Sequence, residues 1–240
     1  LVLSPYTNTS YNKWLIFPYF FINEKNKNKA KLIQPDEMIS KYPLCYKYLL
    51  ARKEELETRS ISGGPKAERQ FYQFGRSQSL TKFNQPKITF SVLTKEAKYT
   101  YDDQDIMMTG GGNGPYYNLR ASTEEISNYF LLALLHHPLL EALIKSQAST
   151  VGGGYYSHSK QFMENLPIPD LSTELKIKID SLVLEVLKNQ NKLQEIKLPH
   201  KQNIMKRLIQ SNILQIERIF TDAFKLSNDE VEILKNYIKK

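Results

Sequence analysis

Residues 71–83, FYQFGRSQSLTKF, interleave Phe71, Tyr72, Phe74 and Phe83 with Arg76, Gln78 and Lys82. Guanidinium, ammonium and amide groups donate to phosphate oxygens and base edges, so this mixture suits a nucleic-acid surface. It equally suits a half-buried strand and turn, and composition does not separate the two readings. Two glycine runs stand further along: MMTGGGNGPYYNLR over 107–120 and TVGGGYYSHSKQF over 150–162. Each sets three glycines beside a tyrosine pair, Tyr116 with Tyr117 and Tyr155 with Tyr156, and the second continues into His158 and Lys160. Three glycines let a backbone approach a ligand closely and present unobstructed N–H groups, which phosphates accept. Tight turns whose tyrosines pack onto a sheet explain the same residues.

Other chemistries fit poorly. GGGNGP has neither the spacing of a dinucleotide loop nor the lysine of a P-loop. Ser157 and His158 are adjacent, which makes proton transfer between them awkward, and no G-x-S-x-G elbow surrounds the serine. PDLSTELK, residues 169–176, superficially matches a metal-dependent nuclease, yet Asp170 and Glu174 lie four apart where a helix begins, and acids are favoured there by the helix dipole. The single cysteine, Cys45, and four histidines argue against a structural zinc site.

A net charge of +8 points to an acidic partner, although lysine-rich surfaces in general show such a balance. Residues 66–98 concentrate it, with Lys66, Arg69, Arg76, Lys82, Lys87, Lys95 and Lys98 against Glu68 and Glu96. No apolar run approaches the ~20 residues of a membrane-spanning helix. The opening LVLSPYTNTS lacks the features of a signal peptide and begins on Leu, which fits a fragment; the lone cysteine fits a reducing cytoplasm.

The elements that must position these residues divide near Pro167 and Pro169. Upstream, KWLIF at 13–17, KITFSVL at 87–93 and YTY at 99–101 read as strands of a mixed sheet. The polar tract NEKNKNKAK, 23–31, reads as a solvated hairpin or loop. One helix is expected over about 40–58. Another follows Ser122, with Ser122 and Glu125 as a capping box and Pro138 after its end. Downstream, Leu175, Ile179, Leu182, Val186, Asn189, Leu193 and Ile196 alternate steps of four and three, the seam of a coiled coil. Pro199 stops that helix, and Ile209, Ile213, Ile216 and Phe220 resume it as the second arm of a hairpin. Ser227 and Glu230 cap a last helix. The fold class expected is α/β (α+β), with a recognition domain over 1–169 and a helical segment over 170–240.

Taken together, WLIFPY at 14–19, YPLCYKYLLARKEELETR at 42–59, FYQFGRSQSL, PKITFSVL, TGGGNGPYY and GGGYYSHSKQFMENLPIPDL resemble the TaqI-like specificity domain. That domain is the DNA target-recognition part of adenine-specific methyltransferases and fused type IIG restriction-modification enzymes. The resemblance covers nearly the whole chain, and QIERIFTDAFKLSNDEVEIL, 215–234, is similar to the closing helices of such enzymes. It implies a parent that methylates adenine N6 with S-adenosylmethionine, and with magnesium if it also cleaves. The family's asparagine-proline-proline-tyrosine motif is not in these residues. The chain is therefore expected to bind duplex DNA, with no cofactor of its own, beside upstream methyltransferase and endonuclease domains of the same polypeptide. The DNA-binding candidates are Arg59, Lys66, Arg69, Tyr72, Arg76, Gln78, Lys82, Tyr116, Tyr117, Tyr155, Tyr156, His158 and Lys160. Relatives in such a family read different sequences, so the shared glycine–tyrosine runs suit phosphate contact or fold. Base reading then falls to stretches such as RSISGGPKAER, 59–69. Two alternatives stay open: the 171–224 helices resemble the spacer helices of type I specificity subunits and would bind a methyltransferase partner, or tyrosines near basic loops stack unpaired RNA bases.

Overall fold

A computed structural model describes residues 5–7, 14–24, 27–61, 69–75, 80–81, 84–107, 115–148 and 150–239. The chain divides into two compact units, residues 12–84 and residues 1–11 with 85–240.

In the first unit, β1 (Tyr19–Glu24) and β2 (Lys27–Leu32) form an antiparallel hairpin, with Tyr19 opposite Leu32 and Glu24 opposite Lys27. The described residues of the polar tract, 23–24 and 27–31, lie on these two strands, and Glu24 pairs with Lys29 at 2.8 Å and Lys31 at 3.3 Å. Of KWLIF, the described residues 14–17 form no strand: pairing starts only at Tyr19, beyond Pro18, whose missing N–H cannot join a ladder. The single helix expected over 40–58 is three: α1 (Pro35–Lys41), α2 (Pro43–Leu50) and α3 (Lys53–Glu57). Pro43 cannot continue α1 but opens α2, where its missing N–H costs nothing. Ile33, Met38, Leu49 and Tyr72 form the buried core.

In the second unit, β3 (Lys87–Ser91) lies between β5 (Thr100–Asp102) and β6 (Tyr116–Leu119), antiparallel to both. A separate antiparallel sheet has the order β4 (Leu93–Thr94), β8 (Tyr155–Ser157), β7 (Thr150–Val151). KITFSVL is thus two strands in two sheets. They part at Val92, whose N–H donates to Pro115 and whose carbonyl accepts from His158.

The helices of this unit are α4 (Asn128–Leu135), α5 (Pro138–Gln147), α6 (Lys160–Met163), α7 (Thr173–Glu195), α8 (Pro199–Ala223) and α9 (Asn228–Ile238). Ser127, not Ser122, caps α4: its hydroxyl accepts from Phe130 N at 2.9 Å and donates to Asp180 Oδ1 at 2.5 Å. Pro138 follows the end of α4, as expected, and opens α5. The capping box of Ser227 and Glu230 is formed on both sides. Along α7, Ile179, Val186 and Asn189 of the seam are buried, but so are Val183 and Leu187. The apolar stripe is wider than a two-helix seam because α7 packs against α4 as well as α8. One core joins Ile88, Phe90 and Tyr101 of the sheet to Phe130 of α4, Ile179 of α7 and Phe220 of α8. The class is α+β, built on small antiparallel sheets with helices at the C-terminal end. No helix among the described residues is long and apolar enough to cross a membrane.

Candidate nucleic-acid interface

Of the candidates in the 12–84 unit, Lys66, Arg76, Gln78 and Lys82 lie outside the described residues. Arg59, just past α3, spends its guanidinium on backbone. Nε donates to Leu56 O at 3.0 Å, and Nη2 donates to Phe71 O at 3.0 Å and Gln73 O at 3.2 Å. It thereby ties residue 59 to the segment beyond residue 69. Arg69 is half-buried and, with Glu57, Arg59, Ile61, Gln70 and Phe71, lines a polar cavity of about 270 Å³. Tyr72 is an interior residue: it is 2% exposed, and its hydroxyl donates to Ile33 O at 2.7 Å. Burial, with Tyr46 adding to it, pushes the Tyr72 hydroxyl up to about 12.

In the other unit the second glycine run is a hairpin. Val151 pairs with Tyr155 and Thr150 with Tyr156, so Gly152, Gly153 and Gly154 make the turn. Gly153 has φ +83° and Gly154 φ +79°, a region that side chains with a Cβ rarely adopt, so these two positions require glycine. The run answers first to turn geometry. It also presents Tyr155, which is 41% exposed and has Lys95 Nζ 5.3 Å from its ring centroid. Tyr156 is half-buried, with Lys145 Nζ 4.9 Å from its ring; the same ammonium donates to Ile238 O at 2.5 Å and so ties α9 to α5. The first glycine run, 110–112, lies outside the described residues, and the tyrosines after it, Tyr116 and Tyr117, sit half-buried on β6. Tyr117 meets the Phe90 ring at 6.3 Å.

His158 is not on the surface. It is fully buried, and its Nε2 lies 2.9 Å from Glu141 Oε2 on α5. Lys160, in contrast, has a side chain 83% exposed, 3.6 Å from Glu164. Lys87, counted in the basic segment, is buried too, with its ammonium 2.5 Å from Asp102 Oδ2 on the neighbouring strand. Burial unmatched by charge also governs two histidines at the junction of α4 and α5. Burial pulls His136 and His137 down to about 4, with Lys235 lowering His137 further.

The second unit therefore keeps Lys95, Tyr155 and Lys160 accessible, and the structure supplies one element that residue order hides, the ammonium of Lys95 over the Tyr155 ring. A cation held against an exposed ring can grip a phosphate while the ring meets a sugar or base. Ser172 caps α7 by accepting from Leu175 N, and Glu174 lies in its first turn. Its carboxyl is held low by backbone and Ser172 hydrogen bonds, so PDLSTELK is a helix start. Among the described residues no group of three or more His, Cys, Asp or Glu side chains is arranged to hold a metal.

No known family profile matches the chain. Over 237 residues, 95% of its length, it is similar at 23% identity to an Escherichia coli protein named type II restriction enzyme and methyltransferase RM.Eco57I. The chain spans 23% of the length of that protein, so the likeness relates it to one portion of a restriction-modification protein.

Proposed function

We propose that the chain is the DNA target-recognition part of a restriction-modification enzyme. The rest of that polypeptide would methylate adenine N6 with S-adenosylmethionine and carry any endonuclease activity. The observation that carries this reading is the extent of the likeness: nearly all of this chain against less than a quarter of a protein whose name joins both activities. A methyltransferase that flips its target base needs a separate surface to grip and read the duplex, and the positive charge suits that task. In this reading Lys160, Arg76 and Tyr155 with Lys95 grip phosphates. The 59–69 segment reads bases through Lys66 and Arg69, and Arg59 sets the path of that segment. Tyr72 and His158 support the two units from inside.

Titrating a labelled duplex with the purified chain at stepped salt concentrations tests the reading. Affinity should fall linearly on a log–log plot as counterions compete. Single-stranded RNA should compete poorly. RNA that displaces the duplex at equal concentration favours the RNA-binding alternative. A competing role as a docking module draws on Ile177, Leu184, Ile204 and Leu214, exposed on α7 and α8. Concentration-dependent self-association without DNA binding is its signature.

A further inference from the structure

Past Asn189 on α7 and up to Ile209 on α8, no side chain of the hairpin is buried. Two antiparallel helices normally continue only as far as they cover one another's apolar faces, since packing rather than propensity holds them. Here α7 runs six residues beyond Asn189, about 9 Å at 1.5 Å per residue, and α8 takes ten residues, about 15 Å, to reach Ile209. The connection is held shut by Gln202 Nε2, which donates to Ile196 O at 2.6 Å. Within this stretch Leu193 and Met205 are half-buried against the core, and no side chain is fully buried.

The surface of this stretch is strongly basic. Residues 188–207, KNQNKLQEIKLPHKQNIMKR, hold Lys188, Lys192, Lys197, Lys201, Lys206 and Arg207 against the single acid Glu195. All six cations are exposed, and none has a side-chain partner among the described residues. Several exposed lysines elsewhere do: Lys29, Lys41, Lys53 and Lys160 each lie within 2.7–3.6 Å of a glutamate. The arms nearer the core are not basic; residues 174–185 carry Lys176 and Lys178 against Glu174, Asp180 and Glu185. Between the cations stand further exposed donors, Asn191, Gln194, His200 and Asn203. The first turn of α8 contains no acid, only His200 and Lys201, so nothing offsets its positive charge.

We propose that the tip of the α7–α8 hairpin, residues 188–207, is a phosphate-gripping surface that holds duplex DNA without reading its sequence. This rests on the DNA-binding reading above but assigns a site that lies apart from the glycine–tyrosine hairpin. Unpaired ammonium and guanidinium groups surrounded by neutral amide donors match a phosphate backbone, to which Lys, Arg, Asn and Gln all donate. The basic groups at this tip stand on both helices and on the connection between them.

The test compares the full chain with Lys188→Gln/Lys192→Gln, Lys206→Gln/Arg207→Gln and the combined variant, on a labelled duplex over a series of salt concentrations. For every phosphate that a variant no longer grips, the slope of log affinity against log salt should fall by about 0.9. The combined variant should bind on the order of tenfold more weakly, equally for all duplex sequences. Thermal unfolding should be unchanged, because none of these side chains has a side-chain partner to lose. Tight binding by the unaltered chain with an identical slope in every variant overturns the proposal and leaves the DNA-binding reading standing. Binding to no duplex by the unaltered chain fails the reading itself. A loss confined to some sequences makes the tip a reader, which also overturns the proposal.

Discussion

His158 and Glu141 meet inside the sheet-and-helix unit, with the imidazole Nε2 2.9 Å from the carboxylate Oε2. The bond ties β8, at the end of the glycine–tyrosine hairpin, to α5. His158→Ala leaves a carboxylate buried without its donor, which costs about 2–4 kcal/mol. Urea unfolding should show that loss, and duplex affinity measured well below the midpoint should stay near that of the unaltered chain. Unchanged stability with weakened affinity would instead put the imidazole in contact with DNA.

The three hairpin glycines should differ from one another. Gly153→Ala and Gly154→Ala force a Cβ into a left-handed backbone and should each lower stability by about 1–2 kcal/mol. At Gly152 an added Cβ meets nothing within 4 Å, and φ is not positive, so Gly152→Ala should be tolerated. Equal losses at all three, by thermal unfolding, would contradict the turn assignment.

His137 bridges α5 and α8. Its Nδ1 accepts from Leu139 N at 3.3 Å, so the neutral ring keeps its proton on Nε2, 3.2 Å from Thr221 Oγ1. A second proton would have to displace the Leu139 hydrogen bond. The folded ring stays neutral down to about 4, whereas an unfolded histidine takes its proton near 6.5. Between those values the unfolded chain binds more protons, so stability is full above about pH 6.5 and falls toward pH 4. The slope is about 1.4 kcal/mol per pH unit for each such group, and His136 adds to it. Urea midpoints from pH 7 to pH 4.5 should fall, and less steeply in His137→Gln.

Grip and reading should separate by mutation of the longer enzyme. Lys160→Ala and Arg76→Ala should weaken binding to all sequences alike, because a phosphate contact carries no information. Lys66→Ala and Arg69→Ala should relax discrimination, by roughly 1–3 kcal/mol where the side chain makes a paired contact to guanine. Preserved preference order and spread in both variants would remove the 59–69 segment as reader.

Arg59→Ala should act differently from either class. Its guanidinium serves the carbonyls of Leu56, Phe71 and Gln73, so its removal should lower the stability of the 12–84 unit by about 1 kcal/mol, read by urea unfolding.

Where local spacing alone decides structure, the sequence was legible. The α7–α8 hairpin follows from apolar steps of four and three, and the Ser227–Glu230 box from residues three apart. Ser122 and Glu125 match the same pattern without capping, because Ser127 gains a partner, Asp180, that lies 53 residues away. Lys87 reads as surface charge until β3 pairs with β5 and sets Asp102 opposite it. Tyr72 and His158 sit in polar, aromatic surroundings along the chain, but their burial is fixed by Ile33 and Glu141, distant in sequence. The basic tip is visible residue by residue, yet its exposure follows only once the last buried pair, Asn189 and Ile209, is located.

Recognition of duplex DNA by sequence is tested by selection from a randomised duplex library. The purified chain should be incubated with the library at moderate salt, and the retained DNA sequenced over successive rounds. One short motif should be enriched, and single-base changes to it should each cost about 1–3 kcal/mol of affinity. Retention of duplex DNA with no motif emerging, or no retention at low salt, contradicts recognition by sequence.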